Sequence, residues 1–217
     1  HRHLRVAVSD LSQSVLAETW QEMDVDHDAQ DGLDAAAEFV DQVIEEAGVR
    51  RDRVIGAGMG LPAPIDRISG RVNDDSILPG WVGVDAAAEA SSRLGIPVQV
   101  DNDANLGALA ESVWGAAKGK SEVAYIKVAT GIGAGLISGG HLNRGINGIA
   151  GEIGHTLVAE DGPVCRCGNR GCLETLASAR AITSLLGESR REEISTRRLL
   201  ELNEAGDAAA QRLIAGA

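Results

Sequence analysis

All three cysteines of the chain fall in one short stretch, CRCGNRGC, with His155 ten residues before the first of them. Three thiols cannot all pair with one another, so a complete disulfide set within the chain is excluded. Cys165, Cys167 and Cys172 sit among Arg, Asn and Gly instead of in an apolar run, where unliganded thiols would be buried. Pro163, Gly168, Asn169 and Gly171 supply the turns a short loop needs to wrap an ion. Three thiolates and one imidazole make a closed tetrahedral zinc set, so His155, Cys165, Cys167 and Cys172 are the expected ligands of a structural zinc.

The rest of the chain must bury a core with few aromatics: three Trp, one Tyr and one Phe in 217 residues. Ala, Val, Leu and Ile therefore carry the packing. HLRVAV and VLAET are expected strands joined by the turn DLSQS, and GLDAAAEFVDQVIEEAG sets Leu33, Ala36, Ala37, Val40, Val43, Ile44 and Ala47 at helical spacing. VIGAGMGLP is an expected buried strand. IPVQVDNDAN is another, leading into a helix over 104–116 with Leu106, Leu109, Ala110 and Val113 inward. After AAKGKSE, an expected hinge, come strand EVAYIKVA, turn TGIGAG, strand GLIS and a Gly-rich loop; the region beyond Glu174 is expected to be helical, with breaks at Gly187 and Gly206. The pattern predicts an α/β architecture of two lobes, 1–117 and 118–217. His1 opens inside a strand pattern and Ala217 ends without a cap signal, so a longer chain is expected at both ends.

Charge is uneven. Residues 1–117 carry 8 basic and 21 acidic side chains, and residues 118–217 carry 12 and 11. The acidic first half repels a phosphate backbone and is a poor nucleic-acid binder by itself. No apolar run is long enough to span a bilayer and no signal-peptide layout opens the chain, so a cytoplasmic protein with no membrane partner is expected.

Asn102 and Asp103 fall at the carboxyl end of an expected strand, where α/β sheets place ligands. An N-cap role for Asp103 is the plainer alternative. Glu152 and His155 stand three apart, and Glu174 follows the last cysteine by two. Paired carboxylates and amides suit a polyhydroxylated ligand. His155 can bind zinc through one ring nitrogen while the other faces that ligand.

The blocks GLPAPID, LPGW, PVQVDNDAN, TGIGAG, GEIGH and CRCGNRGCLE together resemble the ROK family of sugar kinases, open reading frames and repressors. The resemblance implies an actin-like (ribonuclease H-like) two-lobed fold, sugar in the interlobe cleft and zinc in the second lobe. It makes Asn102, Asp103, Glu152, His155 and Glu174 sugar contacts. In a kinase Asp103 is the general base, and Thr130, Gly131 and Gly133 face the phosphates of ATP, which enters with Mg. Trp81 matches a position beside the cleft, with core or surface roles open. Family kinases begin with an Asp-x-Gly-Gly-Thr phosphate loop, whereas His1, Arg2 and His3 stand here at its end. That departure resembles the regulator branch, in which a winged helix, expected before residue 1, binds DNA. The alternative is an ATP-dependent hexose kinase. Family members form homodimers and homotetramers.

Overall fold

The computed structural model describes residues 3–23, 26–66, 69–72 and 77–217. Packing groups residues 1–106 and 145–149 into one unit, and residues 107–144 and 150–217 into another.

The first unit opens with β1 (His3–Ser9) and β2 (Val15–Glu22), an antiparallel pair in which Leu4 faces Gln21 and Val6 faces Thr19. Helix α1 (Ala29–Glu46) packs on this hairpin. Asp28 starts α1 by accepting the Gln30 N–H at 2.9 Å, and Leu33, Val43 and Ile44 lie on its buried stripe. Strands β3 (Ala57–Leu61) and β4 (Val98–Asn102) run parallel, with Ala57 opposite Val98 and Leu61 opposite Asn102. The crossover between them contains α2 (Ala86–Leu94), capped by Asp85 and ended by Gly95 in the left-handed conformation. The core is Leu33, Leu61, Ala63, Val72, Leu78, Trp81, Ala90 and Val98. Trp81 is 2% exposed and donates Nε1–H to His27 Nε2 at 3.3 Å, so of its open roles the core one holds. Strand β3 is half-buried, not fully buried as expected, because Gly58 and Gly60 leave its other face without side chains.

Helix α3 (Asp103–Val113) follows β4 without a linker. Its buried residues are Ala104, Asn105 and Ala108, while Ala110 and Val113 are exposed. The expected inward face is therefore corrected: close packing on alanine won over the larger aliphatics.

In the second unit β5 (Val123–Val128), β6 (Ile132–Ser138) and β7 (His141–Asn143) form an antiparallel meander. Strand β7, missing from the sequence reading, pairs Ser138 with His141 across the Gly139–Gly140 turn. Strand β6 begins at Ile132, so most of TGIGAG is strand, with Gly133 opposite Lys127. Helices α4 (Leu173–Ala177), α5 (Ala179–Arg190), α6 (Thr196–Glu204) and α7 (Ala208–Ala215) complete the unit. Ile182, Leu186, Ile194, Leu199, Leu202 and Ala210 form the core that α5, α6 and α7 share. The expected break at Gly187 is absent, because α5 continues to Arg190 and Arg191 takes the left-handed cap. The break at Gly206 is present.

Candidate functional site

In the first unit the predicted site residues sit where β4 passes into α3. Asn102 is the helix cap: its Oδ1 accepts the Ala104 N–H at 2.9 Å and the Asn105 N–H at 3.3 Å. Its Nδ2 donates to the Ala63 carbonyl at 3.3 Å, tying the loop after β3 to the same turn. The cap role weighed for Asp103 thus belongs to its neighbour, and Asp103 is the first residue of α3, half-buried. Asp101 Oδ1 accepts both the Asn102 N–H at 2.8 Å and the Asn105 Nδ2–H at 2.9 Å. Asp101 and Asn105, buried and unnoticed in the sequence, fix the turn that carries Asp103. The signal was their spacing of four, which places Asn105 within the first helical turn.

In the second unit the site residues converge on the start of β6. Glu174 Oε2 accepts the Ile132 N–H at 2.9 Å. Gly131 lies so close to that carboxylate that a Cβ there would overlap it. Glu152 precedes a single 3-10 turn, Ile153–His155, and its Oε2 stands 3.9 Å from His155 Nε2. Gly151 (φ 96°) and Gly154 press this turn against the main chain, since a Cβ on either would strike the carbonyl of Ala134 or Ile132. Glu152, His155 and Glu174 are thereby positioned by one three-residue stretch, Ile132–Ala134, that sequence reasoning missed. Main-chain groups supply these contacts, and the glycines that approach them, Gly131, Gly151 and Gly154, are their mark in the sequence.

His155 turns its other nitrogen to the cysteines, with Nδ1 3.5 Å from Cys165 Sγ. Cys167 Sγ and Cys172 Sγ are 3.7 Å apart. All four ligand atoms lie within 4.8 Å of one another. A disulfide requires sulfurs about 2.05 Å apart, so none is formed. Tetrahedral zinc with Zn–S of about 2.3 Å and Zn–N of about 2.0 Å places sulfurs about 3.8 Å apart and sulfur about 3.5 Å from nitrogen. The donor set fits that ion. The loop is shaped by Cys165 N–H donating to the Asn169 carbonyl at 2.7 Å and Gly171 N–H to the Pro163 carbonyl at 2.8 Å. Bridge pairing of Leu157 with Cys172 brings the last cysteine back beside His155.

Burial, and then hydrogen bonds to Cys167 and Cys165, push the Cys172 thiol up to about 12. Burial also raises Cys165. At Cys167 burial opposes ionisation but is outweighed by hydrogen bonds from the Asn169 N–H, Cys165 and Cys172, which hold the thiol below its usual value. Metal ligation, which releases the thiol protons, would offset this cost of ionisation.

The sequence profile of the ROK family matches residues 1–216. The chain belongs to the ROK family. Among its ROK relatives, the xylose repressor of Bacillus subtilis (strain 168) is 35% identical over 158 residues, covering 71% of this chain and 39% of the repressor. The glucokinase of Thermotoga maritima is 42% identical over 131 residues, covering 60% of this chain and 41% of the enzyme. A crystal structure of a ROK family glucokinase from Streptomyces griseus, with glucose and AMPPNP, aligns with TM-score 0.86 and 28% identity, covering 98% of this chain and 71% of that one. The fold is thus the α/β fold of ROK sugar kinases. The chain spans about two fifths of these two curated relatives. Among the described residues no helix is long and apolar enough to cross a membrane.

Of the residues set against the kinase phosphate loop, His1 and Arg2 lie outside the described residues. His3 begins β1 and is exposed, its ring edge-on to Trp20.

Proposed function

We propose that this chain is the sugar-binding effector module of a ROK transcriptional regulator. Asn102, Asp103, Glu152, His155 and Glu174 contact the sugar. His155, Cys165, Cys167 and Cys172 hold one zinc, whose four protein ligands leave it no open position, so it organises the loop and does not act as an electrophile. DNA is bound by a winged helix preceding residue 1, in a homodimer or homotetramer.

The observation that favours the regulator over the kinase is the sequence His-Arg-His at residues 1–3, where family kinases carry the small residues that end a phosphate loop. Side chains at those positions obstruct the close backbone approach to a phosphate that glycine allows. The sugar acts on DNA binding through its differential affinity for two conformations of the protein. The test is sugar-dependent ADP release by the full-length protein beside an operator titration with and without xylose or glucose. Sugar-dependent operator affinity with negligible ADP release supports the regulator, and brisk ADP release without DNA binding sinks it.

The second reading is an ATP- and Mg-dependent hexose kinase with Asp103 as general base. Its support is the 42% identity to a glucokinase.

A further inference from the structure

The three sulfurs of the zinc loop are not equally open to solvent. Cys172 is 0% and Cys165 4% exposed, whereas Cys167 is only half-buried. Cys165 turns its Sγ to His155 Nδ1 at 3.5 Å. Its main chain is held on both sides, the N–H donating to the Asn169 carbonyl and the carbonyl accepting the Gly168 N–H at 3.1 Å. Cys172 is held by its bridge pairing with Leu157 and by the Leu173 N–H, which donates to the Thr156 carbonyl at 2.9 Å. Cys167 is thus the sulfur a small solute can reach, and it stands 3.7 Å from Cys172 Sγ. The segment between them begins at Gly168, where a Cβ would meet no atom within 4 Å. The chain beside Cys167 therefore has room to shift.

We infer that the zinc loop is a site of oxidation by peroxide, in which Cys167 is attacked first and Cys172 resolves it as a disulfide. The Cys167 sulfur attacks one oxygen of hydrogen peroxide and the O–O bond breaks, leaving Cys167 as the sulfenic acid. The Cys172 sulfur then attacks the Cys167 sulfur and the S–O bond breaks. Each step expels a hydroxide, which leaves as water with a proton from the thiol, or from solvent where the sulfur was already a thiolate. The pair of sulfurs loses two electrons and the peroxide gains them. Bond formation brings the sulfurs from 3.7 Å to about 2.05 Å and withdraws two of the four metal donors, so a bound zinc is released. Through His155, whose Nδ1 loses that partner, the change reaches the proposed sugar site. Zinc release rests on the metal reading above, whereas the pairing rests on the sulfurs alone.

Hydrogen peroxide added to the full-length protein tests it, with zinc followed by a chelating dye and the cysteines by peptide mapping. Elemental analysis beforehand separates the two readings: protein without zinc fails the metal proposal, while the map still reads the pairing. The expected result is loss of the zinc with a Cys167–Cys172 disulfide, about one for each zinc lost, and Cys165 left as a free thiol. Reductant with added zinc should restore the loaded protein. Cys172→Ser should carry Cys167 on to the sulfinic acid, because nothing resolves it. Should that variant fail to fold, the wild-type map decides. A first disulfide that contains Cys165 overturns the inference, and so do three unmodified cysteines in excess peroxide.

Discussion

Glu174 and Ile132 are 42 positions apart in sequence, yet the carboxylate of one accepts the backbone N–H of the other at 2.9 Å. The contact fastens the second residue after the last cysteine to the first residue of β6. Main-chain atoms on the β6 side make the tether insensitive to which aliphatic side chain stands at 132.

Gly131→Ala should break that tether. The new methyl group overlaps the Glu174 carboxylate, which must swing away. Sugar affinity is expected to fall by about tenfold, the scale of one hydrogen bond to a charged group. Calorimetry with xylose and glucose reads it, and unchanged affinity removes Glu174 from the site.

Purified protein should carry about one zinc per chain. Cys167→Ser is expected to lose the metal and, with it, sugar affinity, because His155 belongs to both proposed sites. Elemental analysis paired with calorimetry checks the linkage. Metal-free protein that binds sugar normally would count decisively against it.

Asp103→Asn keeps the shape at the start of α3 and removes a charged acceptor. Sugar binding should weaken by roughly 1.5–3 kcal/mol. In the kinase reading the same change lowers turnover far more than binding, since it deletes the base. An unaltered binding isotherm would exclude Asp103 as a contact.

Much of this was legible beforehand for a physical reason. Periodicity reports local burial, so β1, β2 and α1 were visible, and close ligand spacing exposed the zinc set. Gly187 misled because its small size serves packing: a Cβ would stand 2.7 Å from the Glu192 carbonyl. In α3 the buried stripe runs through Ala104 and Ala108, which apolar volume alone does not single out. Asn102 and Asp103 are both good caps, and only the geometry showed which one caps.

Asp207 predicts an acid limit for the terminal helices. Its carboxylate accepts the Ala210 N–H at 2.9 Å and an Arg190 N–H at 2.6 Å, and these, in that order, hold it below the usual carboxylate value. A lowered folded value contributes stability that is present above the unfolded value and lost as pH falls through the folded one. Urea midpoints should drop on acidification through that window, and Asp207→Asn should flatten the drop. An equally steep slope in the variant would assign the acid sensitivity elsewhere.

The convergence on Ile132–Ala134 has a consequence for how this protein can diverge. A site aligned by carbonyls and amides keeps its geometry while the side chains along β6 drift. The glycines opposite do not share that freedom, since a methyl group on Gly131, Gly151 or Gly154 strikes what it leans on. In the proposed sugar site, ligand preference can therefore be retuned from the loops without rebuilding the frame. The substitutions to avoid are the smallest ones available.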